Sequence, residues 1–184
     1  MRLLILSLII TLSSTLNAQS KWFTRSGQIK FYSSTPVEDI EAINNSVSSV
    51  LDQATGNIQF SAEIKSFVFE KALMQEHFNE NYMESDEYPQ AKFAGKITNM
   101  NEVDWSTPGD YEVMIEGKLT IHGETQEVKV KGTFRVVDAS SLKAKAEFKV
   151  KPEDYKISIP DIVREKIAKE ISVTVNMEYK PLKR

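Results

Sequence analysis

Apolar and polar residues alternate along five stretches of this chain of 184 residues. A repeat of two places successive side chains on opposite faces of a β-strand, so each stretch predicts a strand with one dry and one wet face. Several such strands in one small chain indicate a barrel or a sandwich. The alternating stretches are residues 58–64, 111–121, 128–136, 142–150 and 171–179.

Small residues interrupt the apolar rows of these strands. Such positions leave space on the dry face, which predicts an interior that side chains do not fill completely and that an apolar ligand could occupy. The small residues on these rows are Gly95, Gly117, Gly132, Ala144 and Ala146.

The remaining segments predict further strands and little helix. Apolar residues at helical spacing predict one short helix over about 71–81, and a helical turn is expected near 161–168. The tripeptide Thr55-Gly56-Asn57 and the dipeptide His122-Gly123 predict hairpin turns, and Asn44-Asn45 predicts another turn. About eight strands result.

The first residues predict a signal peptide over 1–18. Met1-Arg2 precedes an apolar run over 3–12, and small polar residues lead to an expected cleavage after Ala18. The run is too short to span a bilayer comfortably, and no later segment predicts a membrane span. We therefore expect one exported domain over 19–184, periplasmic or secreted from a bacterium.

Composition narrows the class of protein further. The chain contains no cysteine, so its stability must come from packing and strand pairing, and no cysteine at the cleavage site can carry a lipid. The net charge is −3 and lysines interleave with glutamates, which argues against nucleic-acid binding.

The sequence shows no set of residues typical of catalysis. It has no Gly-x-Ser-x-Gly motif, no phosphate-binding glycine loop and no cysteine nucleophile. His77 has Glu80 three residues later, on the same face of the predicted helix, but a surface histidine explains this better than a metal site. We identify no titratable group on the inward rows. The interpretation is a protein that is not an enzyme and has no cofactor or metal.

Three segments resemble the YceI-like family. Residues 117–128, Gly-Lys-Leu-Thr-Ile-His-Gly-Glu-Thr-Gln-Glu-Val, are similar to its G-x-L-T-I-x-G-x-T-x-x-V strand pair. Residues 78–93 resemble its helix, loop and strand, with Tyr88-Pro89 before an apolar strand. Residues 148–160 resemble its late strand and connector, although Tyr155-Lys156-Ile157 replaces a more usual aromatic–glycine pair.

The resemblance implies an all-β, eight-stranded antiparallel lipocalin-like barrel. It also implies an exported protein that holds a polyisoprenoid chain, an isoprenoid quinone or another long apolar lipid in its lumen. The family has no agreed catalytic residues. The alternative is a filled barrel that acts as a stress-response or protein-interaction module without lipid. The oligomeric state stays open, and a homodimer is one option.

Candidate ligand-binding residues follow from the inward rows. We expect the lumen wall to include Ile58, Phe60, Phe93, Val113, Ile115, Leu119, Val130, Phe134, Ala146, Phe148, Val173 and Val175. We expect the rim of the lumen to include Phe78, Tyr82 and Met83.

Overall fold

The computed structural model describes residues 21–182, so the predicted signal peptide lies outside the described residues. Most of the described chain is β-strand. The strands are β1 (Lys21–Ser34), β2 (Asp39–Asp52), β3 (Asn57–Glu63), β4 (Val68–Phe69), β5 (Gln90–Ile97), β6 (Gly109–Ile121), β7 (Glu124–Asp138), β8 (Ser141–Val150) and β9 (Ile171–Pro181).

Within residues 21–182, helical structure is confined to short segments between strands. The helix α1 (Ala72–His77) continues into a π-helical turn at Phe78–Tyr82, which confirms the predicted short helix. A 3₁₀ turn at Asp161–Lys166 confirms the helical turn expected near 161–168. Further 3₁₀ turns lie at Ile64–Ser66, Met100–Glu102 and Pro152–Tyr155.

The strands form one closed antiparallel barrel. Their order is β1-β9-β8-β7-β6-β5-β3-β2, and β2 pairs back with β1. The short β4 adds to β2 outside this ring. The predicted eight-stranded barrel is therefore confirmed, with one additional strand.

The N-terminal strands are longer than the sequence indicates. The turn predicted at Asn44-Asn45 is wrong, because both residues lie inside β2. Asn44 is buried, and its Nδ2 donates a hydrogen bond to the Glu63 carbonyl oxygen at 2.9 Å while its Oδ1 accepts from the Ser46 amide at 2.9 Å. These bonds satisfy the side-chain amide, so a residue typical of turns is tolerated within a strand.

Neighbouring groups occupy the space beside the three glycines on the inward rows. Gly95 and Gly117 are cross-strand partners, and the ring of Phe93 covers both. A Cβ at Gly117 would lie 2.7 Å from the ring's Cζ and 2.5 Å from the Cα of Gly95. At Gly132 a Cβ would lie 3.0 Å from the Lys145 carbonyl oxygen. The interpretation that these glycines mark unfilled space is therefore wrong, because close strand contact uses that space.

Gly117→Ala should destabilise the barrel by about 1–3 kcal/mol, because the new methyl group would press on backbone atoms that cannot rotate away. Gly109→Ala is the matched control, since its nearest neighbours would be atoms of the Tyr111 ring at 3.6 Å. Urea unfolding of both variants measures the difference. Equal stabilities would contradict the assigned contact between β5 and β6.

Candidate functional site

The barrel encloses a narrow apolar cavity of about 60 Å³. Its wall comes from the inward faces of β3 and β5–β9, so residues distant in sequence meet across it. The lining residues are Ile58, Phe60, Phe93, Ile115, Leu119, Val128, Val130, Phe134, Ala144, Lys145, Ala146, Phe148, Val175, Met177 and Tyr179. The Lys145 ammonium pairs with Glu147, 2.8 Å away, and Tyr179 supplies the one polar side chain that is buried in this wall.

The structure brings most of the predicted lumen-wall residues together. All of them except Val113 and Val173 line the cavity. Val113 is buried in the wall beside Gly132, and Val173 is half-buried between its strand partners Phe31 and Phe148. That these residues bind a ligand stays a prediction.

Besides Lys145, which is exposed on the outward row of β8, four further lining residues were missing from the predicted set. Val128, Ala144, Met177 and Tyr179 all line the cavity. Each belongs to one of the alternating apolar rows, so the period of two was a signal that could have found them.

One end of the barrel, which we call the closed end, is sealed by aromatic packing. The loop after β5 carries Trp105, whose ring centroid lies 6.0 Å from that of Trp22 and 6.2 Å from that of Phe134. Trp22 is buried, and its Nε1 donates a hydrogen bond to the Gln53 Oε1 at 2.9 Å. No long apolar chain can pass this end without displacing these rings.

Helix α1 and its π-helical turn cover the opposite end, which we call the capped end. Phe78 packs against Phe31, Phe67 and Phe69, with ring centroids 5.4, 5.8 and 5.0 Å away. Among the residues predicted for the rim, Phe78 and Tyr82 are half-buried and Met83 is buried with 6% exposure. The aromatic cluster thus packs the underside of the helical cap.

Three non-glycine residues with positive φ meet where the cap joins the β6–β7 hairpin. They are Glu84, His122 and Lys156, with φ of 43°, 50° and 53°. Non-glycine residues avoid this region, and such strain persists only where surrounding contacts hold it.

Side-chain contacts hold this junction together. The His122 Nε2 lies 2.8 Å from the Glu84 Oε2, and its Nδ1 lies 3.3 Å from the Tyr155 carbonyl oxygen. The Tyr88 ring packs 4.5 Å from the imidazole, centroid to centroid. Lys156 pairs with Glu124 at 2.6 Å. His122 therefore joins the loop after the cap helix to the 3₁₀ turn at Pro152–Tyr155.

A titratable group does lie on the inward face, contrary to our expectation. The Tyr179 hydroxyl lies 2.7 Å from the Ser49 Oγ, which itself donates to the Gln59 carbonyl oxygen at 2.8 Å. Because the single Ser49 proton is used in that way, Tyr179 is the donor of the pair. Burial raises the pKa of Tyr179 to about 12, so the phenol is neutral at ordinary pH and a poor base.

The described residues offer no metal-binding cluster. Within 21–182, no group of three histidine, cysteine, aspartate or glutamate side chains could hold a metal ion. His77 is exposed on α1. No helix in this part of the chain has the length and apolar character needed to cross a membrane.

A larger depression of about 560 Å³ lies outside the barrel at the closed end. It is an open groove between the β2–β3 turn and the loop that carries Trp105. Backbone and polar side chains such as Gln53, Thr55 and Asn101 form much of its wall. The smaller internal cavity is the better candidate site, because it lies inside the barrel and is lined by the apolar rows.

Several solved structures share this fold. A polyisoprenoid binding domain from Saccharophagus degradans, described as implicated in plant cell wall breakdown, matches with a TM-score of 0.78 and 13% identity over 89% of this chain and 99% of its own. BcnA of Burkholderia cenocepacia matches with 0.68 and 18% over 83% and 95%. The YCEI protein of Campylobacter jejuni matches with 0.59 and 17% over 100% and 92%.

The fold and the cavity define an antiparallel barrel with an apolar interior. The family model of the YceI-like domain matches residues 13–179, and the chain therefore belongs to the YceI-like family. The resemblance seen in the sequence motifs is confirmed. A comparison with curated proteins gives no match.

His122→Asn should loosen the cap, because asparagine tolerates the positive φ but lacks the ring that contacts Glu84, Tyr88 and Tyr155. We expect faster amide hydrogen exchange over residues 83–89 and 152–156 and a loss of roughly 1 kcal/mol of stability. His77→Asn, on the exposed face of α1, is the control. Unchanged exchange in both segments would show that His122 does not fasten the cap.

Stability should fall as pH rises from about 10 to 12, because tyrosine in the unfolded chain ionises near pH 10 whereas Tyr179 holds its proton to about 12. Tyr179→Phe should make this alkaline decline shallower. Denaturant unfolding at pH 8, 10, 11 and 12 measures it, with the exposed Tyr32→Phe as control. An identical decline in the Tyr179 variant would refute the assignment.

Proposed function

We propose that this protein binds a polyisoprenoid or similar long-chain lipid inside its barrel. The observation that carries the proposal is the apolar cavity wall, whose side chains remain half-buried along one side. Val128, Val130, Ala146 and Phe148 all line the cavity, yet solvent still reaches them. The likeness to a polyisoprenoid binding domain, described as such for Saccharophagus degradans, supports this ligand class.

The energetics favour a long apolar chain over a small ligand. Each buried methylene contributes about 0.8 kcal/mol, so one five-carbon isoprene unit gives roughly 3–4 kcal/mol. Association and ordering cost about 4–15 kcal/mol, so several units must be buried before binding becomes useful. Such burial is non-directional, and selection among isoprenoid and acyl chains must come from the shape of the lumen.

The lumen must widen when such a chain binds. A cavity of about 60 Å³ holds a few water-sized groups and no long lipid. Phe60 and Phe148 are half-buried cavity-lining residues, and we infer that their rings turn aside when the chain enters. The wall holds one buried polar side chain, Tyr179, whose hydroxyl Ser49 already engages. We infer that the lipid head group stays at the surface while the chain lies inside.

We propose that the protein works by binding and not by catalysis. The buried phenol of Tyr179 is neutral, and its one proton is donated to Ser49. A carrier, storage or scavenging role follows from reversible burial of a lipid. The predicted signal peptide over 1–18 supports a periplasmic or secreted location, which is part of the proposal.

A second candidate function is a filled barrel that contacts a partner protein without lipid. The small volume of the cavity and the packed closed end favour it. The two functions differ in one observable, which is the presence of lipid in the purified protein.

Protein purified from its native host should carry stoichiometric lipid by mass spectrometry, and Ala146→Trp should abolish it. The indole would fill the space beside β7, and displacing even two methylenes weakens binding about tenfold. Ala94→Trp places the same side chain on the exposed outer face and is the control. Background lipid in folded wild-type protein would refute the proposal and favour the filled barrel.

A further inference from the structure

We propose that the lipid chain enters and leaves the lumen sideways, through a window between β7 and β8. This inference rests on the proposed function and adds the route to it. The window is bounded by residues 128–131 of β7 and 147–150 of β8, and we use the name for this gap throughout.

The window exists because the β7–β8 ladder stops part-way. The two strands pair from Asp138↔Ser141 to Gly132↔Ala146, and no pair follows although both strands continue. Over the same stretch β7 stays fully paired with β6, and β8 stays paired with β9. Four residues on each side leave an opening of about 13 Å along the strands.

Apolar cavity-lining side chains flank the window. Val128 and Val130 on β7 and Phe148 on β8 line the lumen, and all three are half-buried. Val150 beside them is half-buried as well. A chain that slides between the strands would therefore pass the unpaired backbone groups of the two strand edges and reach the apolar wall directly.

Like charges disfavour one of the four missing strand pairs. If the ladder continued in register, Lys129 would face Lys149, and like charges directly opposite each other destabilise a sheet. Each lysine instead turns to a glutamate on its far side. Lys129 pairs with Glu116 on β6, and Lys149 pairs with Glu170 before β9.

The turn at Pro152–Tyr155 closes the edge of the window that faces the capped end. Tyr155 is buried, and the Asp154 carbonyl oxygen accepts a hydrogen bond from the Gln126 Nε2 on β7 at 2.7 Å. Together with the Lys156–Glu124 pair, this bond holds the turn against β7 where a ladder would otherwise run. The paired part of β7 and β8 thus bounds the opening towards the closed end, and the turn bounds it towards the capped end.

The ends of the barrel offer worse routes. Trp22 and Trp105 seal the closed end, and the Phe78 cluster packs beneath the cap. A lipid that used either end would have to pull its whole length through packed aromatic rings. Sideways passage lets the apolar chain slip in while its polar head group remains in water, which avoids dehydrating the head.

The test bars the window with a covalent bridge. The chain has no cysteine, so the two thiols of Lys129→Cys with Lys149→Cys can be joined by a short bismaleimide without competition from other thiols. The control pair is Arg135→Cys with Lys143→Cys, which are exposed partners within the intact ladder and do not line the cavity. Uptake of a radiolabelled polyprenol from phosphatidylcholine vesicles is measured before and after bridging. Protein that keeps free thiols is removed on a thiol-reactive resin.

Bridging across the window should slow uptake at least tenfold, and bridging of the control pair should change it less than twofold. Protein loaded first and bridged afterwards should retain its lipid, which separates loss of the route from loss of the lumen. Unchanged uptake after bridging would overturn the route alone. Absence of uptake by the wild-type protein would overturn the proposed function and the route with it. A dimer that dissociates on bridging would also overturn the entry route, because a second chain would then be paired with the open edges of β7 and β8.

Discussion

The architecture depends on β1 being paired along both of its edges, with β2 on one side and β9 on the other. This pairing joins the first and last strands of the sheet into a ring, so that its apolar face turns inward all the way round. The chain has no disulfide to hold that ring, since it lacks cysteine. Strand hydrogen bonds and the aromatic packing at the two ends therefore carry the stability of the barrel.

Closure also explains how a stable wall can surround a partly empty interior. The packed closed end, with Leu51, Phe134 and Tyr179 buried, supplies a continuous core. The wall on the other side of the lumen does not have to supply this core, so it can remain half-buried between Val128 and Phe148. Stability and the proposed lipid binding thus depend mainly on different lengths of the same strands.

Much of the fold was predictable because alternation reports directly on which residues face inward. The strands, the barrel and most of the cavity wall follow from that period and from the family motifs, and the short helix follows from apolar residues at helical spacing. Cross-strand contacts were not predictable, since a single sequence does not show which residues meet. Asn44 was predicted to lie in a turn, because the hydrogen bond to Glu63 that holds it within a strand joins residues distant in sequence. Gly117 was predicted to mark empty space, because the ring that covers it belongs to Phe93 on another strand.

The same limit applied to the site. Alternation runs without a break through β7 and β8, so it gave no sign of the gap between them. The contact of His122 with Glu84 and Tyr155 joins residues more than thirty positions apart. Tyr179 belongs to an inward row that is otherwise mostly aliphatic. Its titratable hydroxyl was visible in the sequence, and we missed that signal.

The divided edge of β2 has a consequence for how this chain can change in length. One edge of β2 pairs with β1, while the other is shared between β4 near Ala42 and β3 near Ser49, with Asn44 between them. An inserted residue after Asn44 would invert every later side chain of the strand and push Leu51 into water. The turn at Thr55 could absorb the same insertion. Natural variation in length should therefore accumulate in the hairpin turns and spare this strand.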